Sequence, residues 1–89
     1  MWNVRYTKKF EKDIKLAGKR GLPVDRLWTL IRRIAAEEKL EPRHHLHRLK
    51  GDWDDCWECH IAPDWLLIWR EDGEALEFLR TGTHSDLFG

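Results

Sequence analysis

Apolar positions change their period twice along the chain. Trp2-Asn3-Val4-Arg5-Tyr6 alternates apolar with polar and predicts a first strand. The period then lengthens, so that Phe10, Ile14 and Ala17 share one side of a helix turning by about 100° per residue. Thr7 is positioned to cap that helix, predicted over Lys8 to Lys19. Gly18 and Gly21 break it, and Pro23 suits the first turn of a second helix. Val24, Leu27, Trp28, Ile31, Ile34 and Ala35 recur there at amphipathic spacing until Pro42 ends the run. The two helices form a hairpin, each with one apolar side.

Period two then returns. His44 to Lys50 predicts a short edge strand whose charges suit an edge. From Asp55 to Ile61, Trp57, Cys59 and Ile61 take one face and Cys56, Glu58 and His60 the other. Trp65 to Trp69 is apolar on both faces, as a central strand would be, and Asp72-Gly73 marks a hairpin before a last strand over Ala75 to Thr81. The order is β-α-α followed by a meander of three or four strands. Two helices can cover only one face of that sheet. Trp57, Cys59 and Ile61 should meet them, leaving Glu58 and His60 on the open face. Strand parity groups Arg80 with Leu76 and Phe78 on the helix side, unless a bulge or a frayed strand end releases it.

Eighty-nine residues, 42% of them hydrophobic and six of them tryptophan, make one domain with a core. No apolar run approaches the roughly 20 residues of a membrane span, and no apolar leader opens the chain, so the cytoplasm is the expected compartment. Net charge is zero, but residues 1–50 hold 14 Lys+Arg against 6 Asp+Glu, while residues 51–89 hold 2 against 10. The halves thus carry +8 and −8. Such asymmetry points to a basic surface for a polyanion or an acidic partner, provided the charges do not interleave in space. Lys8, Lys12, Lys15 and Lys19 fall in a narrow stripe opposite the apolar side of the first helix, either a solvated face or one that tracks phosphates.

Two constellations carry chemistry. Cys56-Trp57-Glu58-Cys59-His60 matches the C-x-x-C-H pattern of haem attachment, but a strand sends its two sulfurs to opposite faces, and Met1 is the only methionine. The same geometry argues against a disulfide or a zinc site built with His44 or His47, and two free thiols are expected. The second constellation is His47, His60, Asp64, Arg80 and His84, each at or near a predicted strand end. Arg80 is followed by a small Thr81-Gly82-Thr83 turn, in which Gly82 permits positive φ. Imidazoles, a carboxylate and an arginine form a kit for RNA cleavage that calls for no metal or cofactor. One group takes the ribose 2′-OH proton, another protonates the leaving 5′-oxygen, and the cation stabilises charge on phosphorus.

Three linked blocks, His47-Arg48-Leu49-Lys50-Gly51, His60-Ile61-Ala62-Pro63-Asp64-Trp65 and Arg80 through Phe88, closely resemble the YafQ branch of the RelE-like toxins. Thr7 to Asp13 is similar to that family's opening of helix one. The resemblance implies an α+β, two-layer β-α-α-β-β-β-β fold, with a helical hairpin on one face of an antiparallel sheet. It implies an endoribonuclease that cuts mRNA in the ribosomal A site and is held inactive by a cognate antitoxin. It makes His84 the general acid and Arg80 the transition-state cation. His47, His60 and Asp64 complete the catalytic set, with Asp64 or a histidine as base. Phe88 is implied as an aromatic that stacks on a base. Glu58 and Trp65 are assigned to the RNA or ribosome surface, together with the lysine stripe. Glu58 stands where the family pattern has aspartate, and the zero net charge departs from the usual basic toxin. The alternative is a ParE-like toxin of the same fold that poisons DNA gyrase by binding alone.

Overall fold

The computed structural model describes residues 2–89 and follows the expected element order, with one short helix added at its end. Strand β1 (Asn3–Tyr6) leads into α1 (Lys8–Lys19) and α2 (Val24–Ala35). Strands β2 (His47–Arg48), β3 (Cys56–Ala62), β4 (Trp65–Asp72) and β5 (Ala75–Gly82) follow, and α3 (His84–Phe88) comes last. The sheet runs β1-β5-β4-β3-β2. Four of its strands are antiparallel neighbours, but β1 lies parallel to β5. Parallel neighbours need a long connection, and here the helices and three strands supply it.

Thr7 joins the layers. Its hydroxyl accepts from the Phe10 amide at 3.0 Å, capping α1, and donates to the Leu79 carbonyl at 2.9 Å on β5. Phe10, Leu27, Leu30 and Ile31 from the helices pack on Cys59, Ile61, Leu67, Trp69 and Phe78 from the sheet. Cys56, Leu66 and Ile68 lie on the other face, in a second, smaller cluster with Leu87 of α3. The cysteines are free and sit in separate cores on opposite faces, as the strand argument required.

Several boundaries shift for local reasons. Pro23 is the residue before α2 rather than in its first turn. That helix ends at Ala35, well before Pro42, with Glu37 left-handed at φ 60°. Only His47 and Arg48 of the expected edge strand pair with β3, because residues 42–44 and 51–53 turn as 3-10 helix. The open face is partly covered by α3, which follows directly on the Thr81-Gly82-Thr83 segment. Its start is a capping box: Thr83 accepts from the Asp86 amide while the Asp86 carboxylate accepts from the Thr83 amide.

The bulge that Arg80 required is present. Trp69 pairs with Phe78 but Ile68 pairs with Arg80, so Leu79 is the extra residue. Leu79 packs on the open-face cluster, and Arg80 enters register with Ile68 on that same face.

Candidate active site

Cross-strand register sets the first layer of the site. His47, Glu58, Ile68 and Arg80 form one row across β2, β3, β4 and β5. His60, Leu66 and Gly82 form the next row on the same face. Asp64, in the β3–β4 turn, and His84, the first residue of α3, lie just beyond that second row.

Asp64 holds His84 twice. Its Oδ1 accepts from the His84 backbone N–H at 3.0 Å and lies 2.6 Å from ring Nδ1. These bonds, the backbone one foremost, keep the Asp64 carboxyl below the usual carboxylate range. An ionised Asp64 is acceptor-only, so Nδ1 carries a proton, and Nε2 has no hydrogen-bond partner among the described residues. The His84 ring meets His60 edge-on with centroids 5.7 Å apart, and the His45 ring is tilted against His60 at 5.0 Å. Burial pushes the His60 imidazole below its ordinary pKa, helped by the other histidines, while Glu58 pulls the other way.

Glu58 lies beneath these rings, only 4% exposed. Its Oε1 is 3.2 Å from His47 Nε2 and 3.9 Å from His60 Nε2, and its Oε2 has no partner among the described residues. His47 Nδ1 faces the His45 carbonyl at 2.6 Å, so both ring nitrogens meet acceptors. His44 fastens the segment from beneath: its Nδ1 donates to the His60 carbonyl at 2.7 Å.

Arg80 is anchored from α1. Its Nε and Nη2 donate to the two Asp13 oxygens at 2.7 and 3.1 Å, and Asp13 also accepts from the Thr81 amide at 3.1 Å. Beyond Tyr6, β1 no longer covers β5, and Asp13 satisfies that edge. Two of the five guanidinium N–H donors are used, and the rest are available to an anion. One helical turn pair on, Arg20 grips Asp86 of α3 at 2.7 and 3.2 Å. A β-carbon at Gly82 would lie 2.9 Å from Asp86, so this glycine supplies space for α3 to fold back. Its φ is not in the left-handed region, contrary to the role expected of it.

The profile described as "bacterial toxin of type II toxin-antitoxin system, YafQ" matches residues 2–89. The chain belongs to the YafQ family. The mRNA interferase toxin YafQ of Escherichia coli K12 is 35% identical over 98% of this chain and 96% of its own. The crystal structure of YafQ from E. coli BL21(DE3) superposes with a TM-score of 0.93 at 33% identity, covering both chains fully. YafQ in the E. coli DinJ–YafQ toxin–antitoxin complex gives a TM-score of 0.90 at 35% identity, over 99% of this chain and 98% of that one.

For this YafQ-family chain, His47, His60, Asp64, Arg80 and His84 come together on one face. Phe88 lies beside them on α3, 47% exposed and edge-on to Trp53 at 6.1 Å. Two expected surface residues do not stand at the surface. Trp65 is 3% exposed in the helix-side core and has no free face for a base. Glu58 is buried and faces the His47 and His60 imidazoles rather than an open surface. Lys8, Lys12, Lys15 and Lys19 are exposed, but the flank of α1 that reaches the site carries Asp13 instead, with Arg20 following at the helix C-cap. Sequence reasoning missed Asp13, Arg20, Asp86 and His45. The first two stand seven residues apart, which puts them on one side of a helix.

Proposed function

We propose that this YafQ-family toxin is an mRNA interferase that cuts messenger RNA on the ribosome and is silenced by a cognate antitoxin. The observation that carries the reading is the His84 ring, fixed at Nδ1 by Asp64, with Nε2 free beside His60. His60, kept neutral near pH 7 by burial, takes the proton from the ribose 2′-OH. The 2′-oxygen attacks phosphorus, and the bond to the 5′-oxygen breaks. His84 enters the step doubly protonated, gives its Nε2 proton to that leaving oxygen and keeps the Nδ1 proton on Asp64, while free donors of Arg80 stabilise the charge gathered on the phosphoryl oxygens. Asp64 orients the acid and is itself occupied by two hydrogen bonds, which favours a histidine over Asp64 as base. Glu58 and the His45 carbonyl hold His47 in place.

The test is an in vitro translation reaction with cut sites mapped by primer extension, run beside a gyrase supercoiling assay. The wild-type chain should break messages, with or without a chelator, and leave supercoiling unchanged. His84→Ala should slow the cut by about 10²–10⁴-fold. Wild-type cutting by His84→Ala would remove the acid assignment, and supercoiling inhibition without message breaks would favour the gyrase-binding alternative. The antitoxin should protect messages when added before the toxin.

A further inference from the structure

Strand β2 pairs only with Trp57 and Glu58, so the second half of β3 has no strand on the edge away from β4. A cavity of about 730 Å³ fills that gap, between α2, the segment around His45 and the β3–β4 turn. This volume falls within the roughly 300–1,000 Å³ of sites that hold small ligands. Leu30, Ile61 and Pro63 supply apolar lining. Arg26, Arg33 and Arg43 line it too, against a single carboxylate, Asp25. Arg33 is paired with Glu41 at 2.8 Å and Glu38 at 3.5 Å, and Glu41 also meets His44 at 3.4 Å. Arg26 and Arg43 are left without a salt bridge among the described residues. His45 and His60 line the cavity as well, so it shares a wall with the catalytic face. His45 sits there at φ 46°, a left-handed conformation costly to a residue with a β-carbon, and this places its ring against His60.

We propose that this cavity is the subsite for one nucleotide of the message adjoining the scissile linkage. The base lies on the apolar lining and its phosphate lies between Arg26 and Arg43. The proposal rests on the mRNA-cleaving reading above. Three observations favour a nucleotide: apolar lining beside unpaired arginines, a volume of the right order, and a wall shared with the proposed general base. A planar base needs the first, a phosphodiester the second feature of that lining, and a substrate running past His60 needs the shared wall.

The test uses the full chain on ribosomes programmed with messages randomised beside the cut. Wild type is compared with Arg26→Ala/Arg43→Ala and with Thr29→Trp. Thr29 is exposed and lines the cavity, so the larger ring narrows it without entering the core. Circular dichroism checks folding. Both variants should cut at least about tenfold more slowly at subsaturating message, the scale of losing charge-assisted hydrogen bonds. Both should also lose nucleotide preference at one flanking position and keep wild-type affinity for the antitoxin. Wild-type rate and preference in both variants would overturn the proposal. So would a loss confined to antitoxin binding, which would give the cavity to an acidic side chain of that partner. A wild-type chain that cuts no message at all would strike the function reading itself, and this subsite with it.

Discussion

Replacing Asp13 with alanine tests whether Arg80 works from a held position. The two side chains are 13% and 23% exposed, and Asp13 receives three hydrogen bonds, two from the guanidinium and one from the Thr81 amide. Removing one partner of a buried pair costs about 3–5 kcal/mol. Water still reaches part of this guanidinium, so we expect roughly 2–4 kcal/mol for Asp13→Ala. In a domain of this size that lowers the melting temperature by about 10–25 °C. Asp13→Asn keeps an oxygen for the Thr81 amide but loses the charge, and should cost about half as much. Cutting should suffer as well, because an arginine freed from its anchor spreads over several rotamers, and small misplacements at a reacting centre cost about 10²-fold. The assay pairs thermal and urea unfolding with single-turnover cleavage on bound ribosomes, measured at a temperature where the variant is folded. A variant melting within about 3 °C of wild type and cutting at the same rate would refute the anchoring role. Faster cutting would show that Asp13 only damps the arginine's charge.

Two further outcomes follow from named groups. Substituting any of Lys8, Lys12, Lys15 or Lys19 should flatten the dependence of log ribosome affinity on log salt by about 0.9 if that lysine meets a phosphate. Single-turnover cutting at saturating ribosome should stay unchanged, and a slowed cut with normal affinity would put the stripe at the reacting centre. Burial pushes the Cys59 thiol up to about 12, so the folded chain keeps a proton that the unfolded thiol gives up near its ordinary pKa. Its contribution to stability is complete below that ordinary value and declines as pH rises towards about 12. Urea midpoints should therefore fall more steeply above pH ~9 in wild type than in Cys59→Val, and parallel curves would contradict the burial argument.

Periodicity located the long elements because burial repeats along them. α1 spans the expected residues, and β3, β4 and β5 differ only at their ends. The faces of Cys59 and Glu58 were legible for the same reason. Arg80 was harder: parity gives the wrong face, and a bulge at Leu79 depends on how β4 and β5 settle against each other rather than on any residue alone. Trp65 misled because a run apolar on both sides hides which member faces the helices, and its odd-numbered neighbours decide that only once the sheet is paired. Asp13 was invisible as a site residue because its partner lies 67 positions away, across a sheet edge that β1 leaves bare. The capping pattern at Thr83 and Asp86 was readable, and a five-residue helix is too short for any apolar period to announce it.

The pairing of β1 with β5 sets an order on assembly. β3, β4 and β5 are joined by tight turns and can zip together as two hairpins, whereas Asn3 must find Ala75 across most of the chain. Closing that distance is entropically slow, and near neighbours pair first. The histidine-bearing strands therefore gather early, while the anchor for Arg80 arrives only when β1 and α1 dock. On the proposed roles, a partly folded chain would hold its proton carriers without a fixed cation and should be inert. On refolding, nuclease activity should lag behind the sheet signal, so that toxicity is withheld until the last long-range contact is made.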